Sequence, residues 1–191
     1  YLRNRAFDLV RERWSQPEAA PLDLLRWLEQ VVKTLDAGVD PPPVEAQAYF
    51  APGEDCLRKL RELCLGARRT IDVCVYTISD DRLCDALVDA HRRGVRIRIL
   101  SDDHKIHDDG SDVIRLRDRG IDVRLDDTAF HMHHKFALFD GARLASGSFN
   151  WTRGASTGNE ENLVVTDDAR LVRGFGGHFE RLWGKFAPGQ G

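Results

Sequence analysis

The chain has 191 residues, of which 42% are hydrophobic and 31% charged, enough apolar content for a folded domain and too mixed for a fibre or a disordered polymer. A formal net charge of −3 excludes a protein held to nucleic acid or anionic lipid by its overall field, so any contact with a polyanion is local. No run approaches the roughly 18 apolar residues that a membrane-spanning helix needs, and no signal-peptide pattern opens the sequence, so a cytoplasmic protein without a transmembrane segment is expected.

Leu2, Ala6, Val10 and Trp14 recur every fourth residue, and Leu24, Leu25, Leu28, Val31, Val32 and Leu35 follow the spacing of an amphipathic helix. Two helices therefore precede the main fold. Their polar faces mix acids with bases, which suits packing on protein better than lying on a membrane. Pro41-Pro42-Pro43 forbids helix continuation and marks a boundary between a helical segment, 1–43, and a main domain, 44–191.

From Val44 to Phe50 the pattern is that of a strand, followed by a helix over Leu57 to Leu65 and a β-branched apolar run from Ile71 to Ile78. A helix over Asp81 to Arg93 ends at Gly94. The next strand, Val95 to Leu100, alternates apolar residues with Arg96 and Arg98. A polar loop (Ser101 to Gly110), a helix reaching Arg119 and a strand over Ile121 to Leu125 come next. A hairpin turning near Asp140-Gly141, a strand over Asn162 to Thr166 and a helix over Ala169 to Phe186 complete the chain, with Gly174, Gly176 and Gly177 weakening that helix. Strands alternating with helices predict an α/β fold with a mixed, mostly parallel sheet flanked by helices. No internal repeat is visible.

Cys56, Cys64, Cys74 and Cys84 form no C-x-x-C pair and sit in apolar patterns, as buried reduced thiols do. Arg92, Arg93, Arg96, Arg98, Arg115, Arg117, Arg119 and Arg124 are the local basic candidates, although their interleaved aspartates read first as a solvated face. The same bland reading covers the loop with His104, His107, Asp102, Asp103, Asp108, Asp109 and Asp112.

The densest polar cluster runs from His131 to Asp140 and resumes at Gly147-Ser148-Phe149-Asn150. On a strand, His133 and Lys135 share one face. A loop at Asp140-Gly141 sets His133 opposite Ser148; a loop at Gly141-Ala142 sets His133 opposite Asn150 and Lys135 opposite Ser148. Either register gathers an imidazole, an ammonium, a hydroxyl and an amide, with Phe136 and Leu138 facing the other way. Such a patch suits phosphoryl chemistry: a neutral imidazole attacks phosphorus while Lys135 and Asn150 offset charge on the non-bridging oxygens. Gly147 permits close backbone approach. A transition-metal site on His131 and His133 is the weaker reading, because Lys135 beside them opposes a cation.

His133-x-Lys135-x4-Asp140 followed by Gly147-Ser148-x-Asn150 resembles the H-x-K-x4-D and G-S-x-N signature of the phospholipase D superfamily. Met132 to Phe136, Gly147 to Thr152 and Glu161-Asn162 look like the branch that holds mitochondrial cardiolipin hydrolase, its insect relative Zucchini and small bacterial endonucleases. The resemblance spans roughly Tyr49 to Phe186 and makes 44–191 a phospholipase D-like catalytic domain. It implies a histidine-nucleophile phosphodiesterase in which His133 attacks and a second copy of the same histidine protonates the leaving oxygen. Lys135 and Asn150 would grip the phosphate, Ser148 would support it, Glu161 would orient an imidazole, and Asp140 would be structural. One motif per chain then implies a homodimer. No metal or other cofactor is expected. The expected substrate is single-stranded nucleic acid, with an anionic phospholipid as the alternative, because the sequence shows neither a membrane segment nor a basic amphipathic anchor; the branch's membrane anchor and its cysteine and histidine insertion have no counterpart here, which argues against its mitochondrial outer-membrane placement. His134 is a candidate substrate contact, and Trp151 suits the substrate groove and the core equally.

Overall fold

The computed structural model describes residues 8, 11, 12, 21–37, 43–105 and 111–186. The chain divides into two compact units, Tyr1–Val44 and Glu45–Gly191. In the first, α1 (Pro21–Ala37) contains the whole apolar repeat from Leu24 to Leu35. The helix expected over Leu2 to Trp14 falls outside the described residues apart from Asp8, Arg11 and Glu12, which are helical, and Pro41 and Pro42 fall outside them too.

The second unit runs β1 (Ala46–Ala51), α2 (Asp55–Gly66), β2 (Thr70–Val75), β3 (Ile78–Ser79), α3 (Asp81–Arg92), β4 (Arg96–Ser101), α4 (Val113–Asp118) and β5 (Asp122–Leu125). It continues through β6 (Lys135–Phe139), β7 (Arg143–Gly147), β8 (Trp151–Thr152), α5 (Arg153–Thr157), β9 (Glu161–Thr166) and α6 (Ala169–Lys185). A seven-stranded sheet has the order β1-β9-β7-β6-β2-β4-β5, and β3 pairs with β8 in a separate two-stranded piece.

The sheet is mixed, but its balance differs from the expectation of mostly parallel pairing. Only β2·β4 and β4·β5 are parallel, the half joined by helices α3 and α4. Pairings β2·β6, β6·β7, β7·β9 and β9·β1 are antiparallel. A tight turn joins β6 to β7, and tight turns can join only antiparallel neighbours.

Both sheet faces are buried. On one, Ile71, Val73, Ile97, Ile99, Ala137 and Phe139 pack with the apolar sides of α2, α3 and α4. On the other, Cys74, Leu100, Phe136, Leu138 and Leu144 pack against Val172 and Phe179 of α6. Burial on two sides explains why β2 and β6 read as near-continuous apolar runs. All four cysteines are free and buried within this packing. Helix α6 passes unbroken through Gly174, Gly176 and Gly177.

The run from Ile71 to Ile78 is not one strand. β2 ends at Val75, the Tyr76 N–H turns to the His134 carbonyl at 2.9 Å, and Asp80 caps α3 by accepting from the Arg82 N–H at 3.0 Å. Arg98 also departs from the solvated reading. It is only 8% exposed, held by Asp72 and Glu180 at 2.7 Å each and stacked on Phe179. Arg93 is used internally too, donating to the Cys64 and Leu65 carbonyls at the end of α2.

Candidate active site

The start of β6, the end of β7, the start of β9 and the end of β2 meet at one edge of the sheet, because each neighbour runs antiparallel to the next. That geometry collects Lys135, Gly147, Glu161 and Tyr76. The β6–β7 ladder pairs Phe136 with Ser146 and Phe139 with Arg143, so the loop holds three residues rather than two. Asp140 and Gly141 both have positive φ, 56° and 63°, and the Ala142 N–H closes the turn on the Phe139 carbonyl at 3.0 Å. Neither expected register therefore occurs. One step along the observed ladder sets Lys135 across from Gly147, and His133 and Ser148 sit in the flanking segments.

Lys135 Nζ lies 2.9 Å from His133 Nδ1 and 3.1 Å from Nε2, and it donates to the His133 carbonyl at 2.9 Å. The Tyr76 ring packs beside both, 4.8 Å from the His133 ring and 5.4 Å from the ammonium. Partial burial, then the positive charge of Lys135 and of His131, holds the His133 pKa below its ordinary value, with Asp102 pulling the other way. The neutral imidazole is thereby favoured. Burial also lowers the Lys135 pKa, and the carboxylate of Glu161 opposes that shift.

Ser148 Oγ accepts from the Asn162 N–H at 3.0 Å and from its side-chain amide at 3.3 Å, which fixes the hydroxyl and leaves its proton as a donor. Asn150 Oδ1 is buried and has no hydrogen-bond partner among the described residues, an arrangement that costs about 1–3 kcal/mol. A Cβ at Gly147 would lie 2.1 Å from the Asn162 carbonyl oxygen, so the close approach expected of this glycine is to the neighbouring strand β9. Glu161 accepts from the Asn159 amide at 3.3 Å and acts electrostatically on Lys135, and among the described residues no hydrogen bond joins it to an imidazole.

Asp140 lies at the far end of the hairpin from His133. Its carboxylate accepts from the backbone N–H groups of Arg68 (3.0 Å), Arg69 (2.7 Å) and Thr70 (3.0 Å), tying the β6–β7 turn to the start of β2. Those donors hold its pKa below the usual carboxylate value against the opposing effect of burial. His134 points away from His133, with its Nε2 2.9 Å from His178 Nε2 on α6 and its ring edge-on to Phe136. Trp151 is not in a groove: it is 1% exposed, pairs with Ile78 through β8, and belongs to the core.

The structure adds residues that the sequence reading set aside. Asp102 belongs to no solvated loop: it is fully buried and accepts from His131 Nδ1 (3.1 Å), the Met132 N–H (2.9 Å) and the His104 N–H (3.1 Å). Asp102, Asp103 and Asp126 bring three carboxylates within 4.8 Å of one another, the set among the described residues with the spacing to hold a cation. Asp126 already accepts from the Asp103 N–H and the Thr128 hydroxyl. No periodicity in the sequence announces these contacts, which join the end of β4 to the loop before β6.

Residues 60–183 match the family described as cardiolipin synthase, PLD-like domain. Mitochondrial cardiolipin hydrolase of Chlamydomonas reinhardtii is 50% identical over 120 residues, 63% of this chain and 54% of that protein. The Homo sapiens protein of the same name is 41% identical over 136 residues, 71% of this chain and 54% of its own length, so the chain spans about half the length of these relatives. Among solved structures, the phospholipase D family member Nuc from Salmonella typhimurium superposes with a TM-score of 0.71 at 26% identity, covering 78% of this chain and 100% of Nuc. NucT from Helicobacter pylori has the same fold, with a TM-score of 0.71 at 21% identity over 77% of this chain and 100% of NucT.

Proposed function

This chain belongs to the phospholipase D superfamily, and on that premise we propose that it is a metal-independent phosphodiesterase with His133 as nucleophile, working as a homodimer on single-stranded nucleic acid. The observation that carries the reading is the His133–Lys135 pair. Partial burial and an ammonium 2.9 Å from a ring nitrogen favour the neutral imidazole, and that ammonium would supply a counter-charge to a phosphate oxygen.

In the first step a ring nitrogen of His133 bonds to phosphorus and the bond to the leaving oxygen breaks. The partner's His133, as imidazolium, gives its proton to that oxygen. In the second step water bonds to phosphorus, passes its proton to the partner's His133, and the phosphorus–nitrogen bond returns its electrons to the ring. Lys135, the Ser148 hydroxyl and the Asn150 amide face the non-bridging oxygens. Two copies of one residue then work in opposite protonation states, so the rate follows a bell-shaped pH profile. Its acid limb lies below the ordinary histidine value, in the direction of the His133 shift.

A second reading, hydrolysis of an anionic phospholipid, is favoured by the cardiolipin hydrolase name that the curated relatives carry. Labelled single-stranded RNA, single-stranded DNA and cardiolipin vesicles, each incubated with the protein in EDTA, separate the two. Strand cleavage that survives EDTA and disappears in His133→Ala is the expected result. Vesicle hydrolysis without strand cleavage transfers the assignment to lipid, and turnover that persists in His133→Ala removes the histidine from the chemistry.

A further inference from the structure

The segment that enters β6 is held on both sides of Phe130 by buried carboxylates. Before it, Asp126, 2% exposed, accepts from the Thr128 hydroxyl, and Thr128 Oγ1 lies 2.7 Å from the Phe130 carbonyl oxygen and 3.4 Å from its N–H. After it, fully buried Asp102 takes the His131 ring and the Met132 N–H. Yet Phe130 itself is 82% exposed. A pinned backbone that presents a phenyl ring to water forgoes roughly 1.5–3 kcal/mol of burial.

The exposed ring directly precedes His131 in the chain, and His131 belongs to a row of rings leading to His133. His104 meets His131 edge-on at 5.6 Å, His131 meets Tyr76 at 5.5 Å, and Tyr76 meets His133 at 4.8 Å, where Lys135 supplies the positive charge. Phe130 is three residues from His133, at most about 11 Å along the chain. Single-stranded nucleic acid is bound by this combination: a cation at the phosphate and aromatic faces for the flanking bases. Two of the arginines that could have tracked a backbone are already paired, Arg98 within the fold by Asp72 and Glu180 and Arg115 at the surface by Asp81, Asp85 and Asp112.

We propose that Phe130, with the Asp102-held ring of His131 beside it, is a base-stacking subsite that selects single-stranded nucleic acid by the bases next to the cleaved phosphate. The proposal rests on the hydrolytic reading of the His133 site and names the substrate feature that this site reads. Asp102 is a positioning residue: it fixes the His131 ring and the backbone that presents Phe130.

The test compares a single-stranded oligonucleotide with an abasic strand of the same length, measuring both Kd and kcat/KM in Phe130→Ala, Phe130→Leu and Phe130→Tyr. Stacking on one base predicts that the preference for the base-bearing strand falls about 5- to 150-fold in Phe130→Ala and Phe130→Leu and is kept in Phe130→Tyr. An unchanged preference in Phe130→Ala overturns the proposal. So does a preference restored by leucine, since leucine replaces the ring's apolar surface but not its face. Weaker binding to cardiolipin vesicles in Phe130→Ala, rescued by leucine and with the oligonucleotide preference intact, also overturns it and assigns Phe130 to membrane insertion. A protein that loses its base preference in Kd while cutting neither strand keeps this subsite and removes the hydrolytic reading; one that cuts both strands with an unaltered preference does the reverse.

Discussion

The two ends of the β6–β7 hairpin carry residues of the same short motif under opposite physical conditions. At the turn, Asp140 is a charge with its partners supplied: three backbone N–H groups converge on one carboxylate, and its pKa is depressed accordingly. At the open end, His133 and Lys135 bring two basic groups within 2.9 Å, both with depressed pKa values. One end satisfies its charge within the fold, and the other sets two basic groups against each other. Active sites keep this kind of unsatisfied electrostatics because a developing charge on the substrate is what satisfies it.

Four experiments would break or sharpen that contrast. His133→Ala should lower kcat/KM at least about a thousandfold with little change in melting temperature; a large loss of stability would mean that the open end also holds the fold. Gly147→Ala should damage both properties, because its Cβ would meet the Asn162 carbonyl oxygen at 2.1 Å and part β7 from β9. Denaturant unfolding should read a cost of about 1–3 kcal/mol, accompanied by lost activity as Ser148 and Asn150 shift.

Asp140→Ala should cost about 1.5–3 kcal/mol in unfolding free energy and leave kcat changed far less than His133→Ala does. The sign of its pH dependence follows from the depressed pKa. The Asp140 contribution is complete above the unfolded carboxyl's pKa and is lost as pH falls through the lower folded value. Asp140→Asn should therefore flatten the acid side of the stability curve and leave the neutral region parallel to the wild type. The smallest shift to be read is in titration, whatever Lys135→Met does to turnover: in that variant the His133 ring, followed by NMR, should gain a proton at higher pH than in the wild type, because the ammonium's repulsion is gone. An unmoved or lowered value would contradict the assigned cause.

The candidate set was legible in the sequence because histidine, lysine, serine and asparagine recur at fixed spacing around two strands, although His133 and Ser148 lie in the segments flanking β6 and β7 rather than on them. The register was not. It depends on Asp140 entering the left-handed region, which aspartate tolerates, so the turn takes three residues where two were expected. Mostly parallel pairing failed for a related reason: strands alternating with helices describe β2, β4 and β5, but β1 pairs with β9 from the other end of the domain. Trp151 could not be placed because β8 has two residues and offers no period to read. Asp102 was invisible because its burial arises only when the loop before β6 closes over the end of β4.

The central claim is that His133 forms a covalent bond to phosphorus. Quenching turnover in alkali, where a phosphorus–nitrogen bond persists, and mapping the phosphorylated peptide by mass spectrometry tests it directly. The account predicts an adduct on His133 that appears within a single turnover and is absent from Lys135→Met and His133→Ala. Steady cleavage with no adduct, or an adduct on another residue, would contradict it.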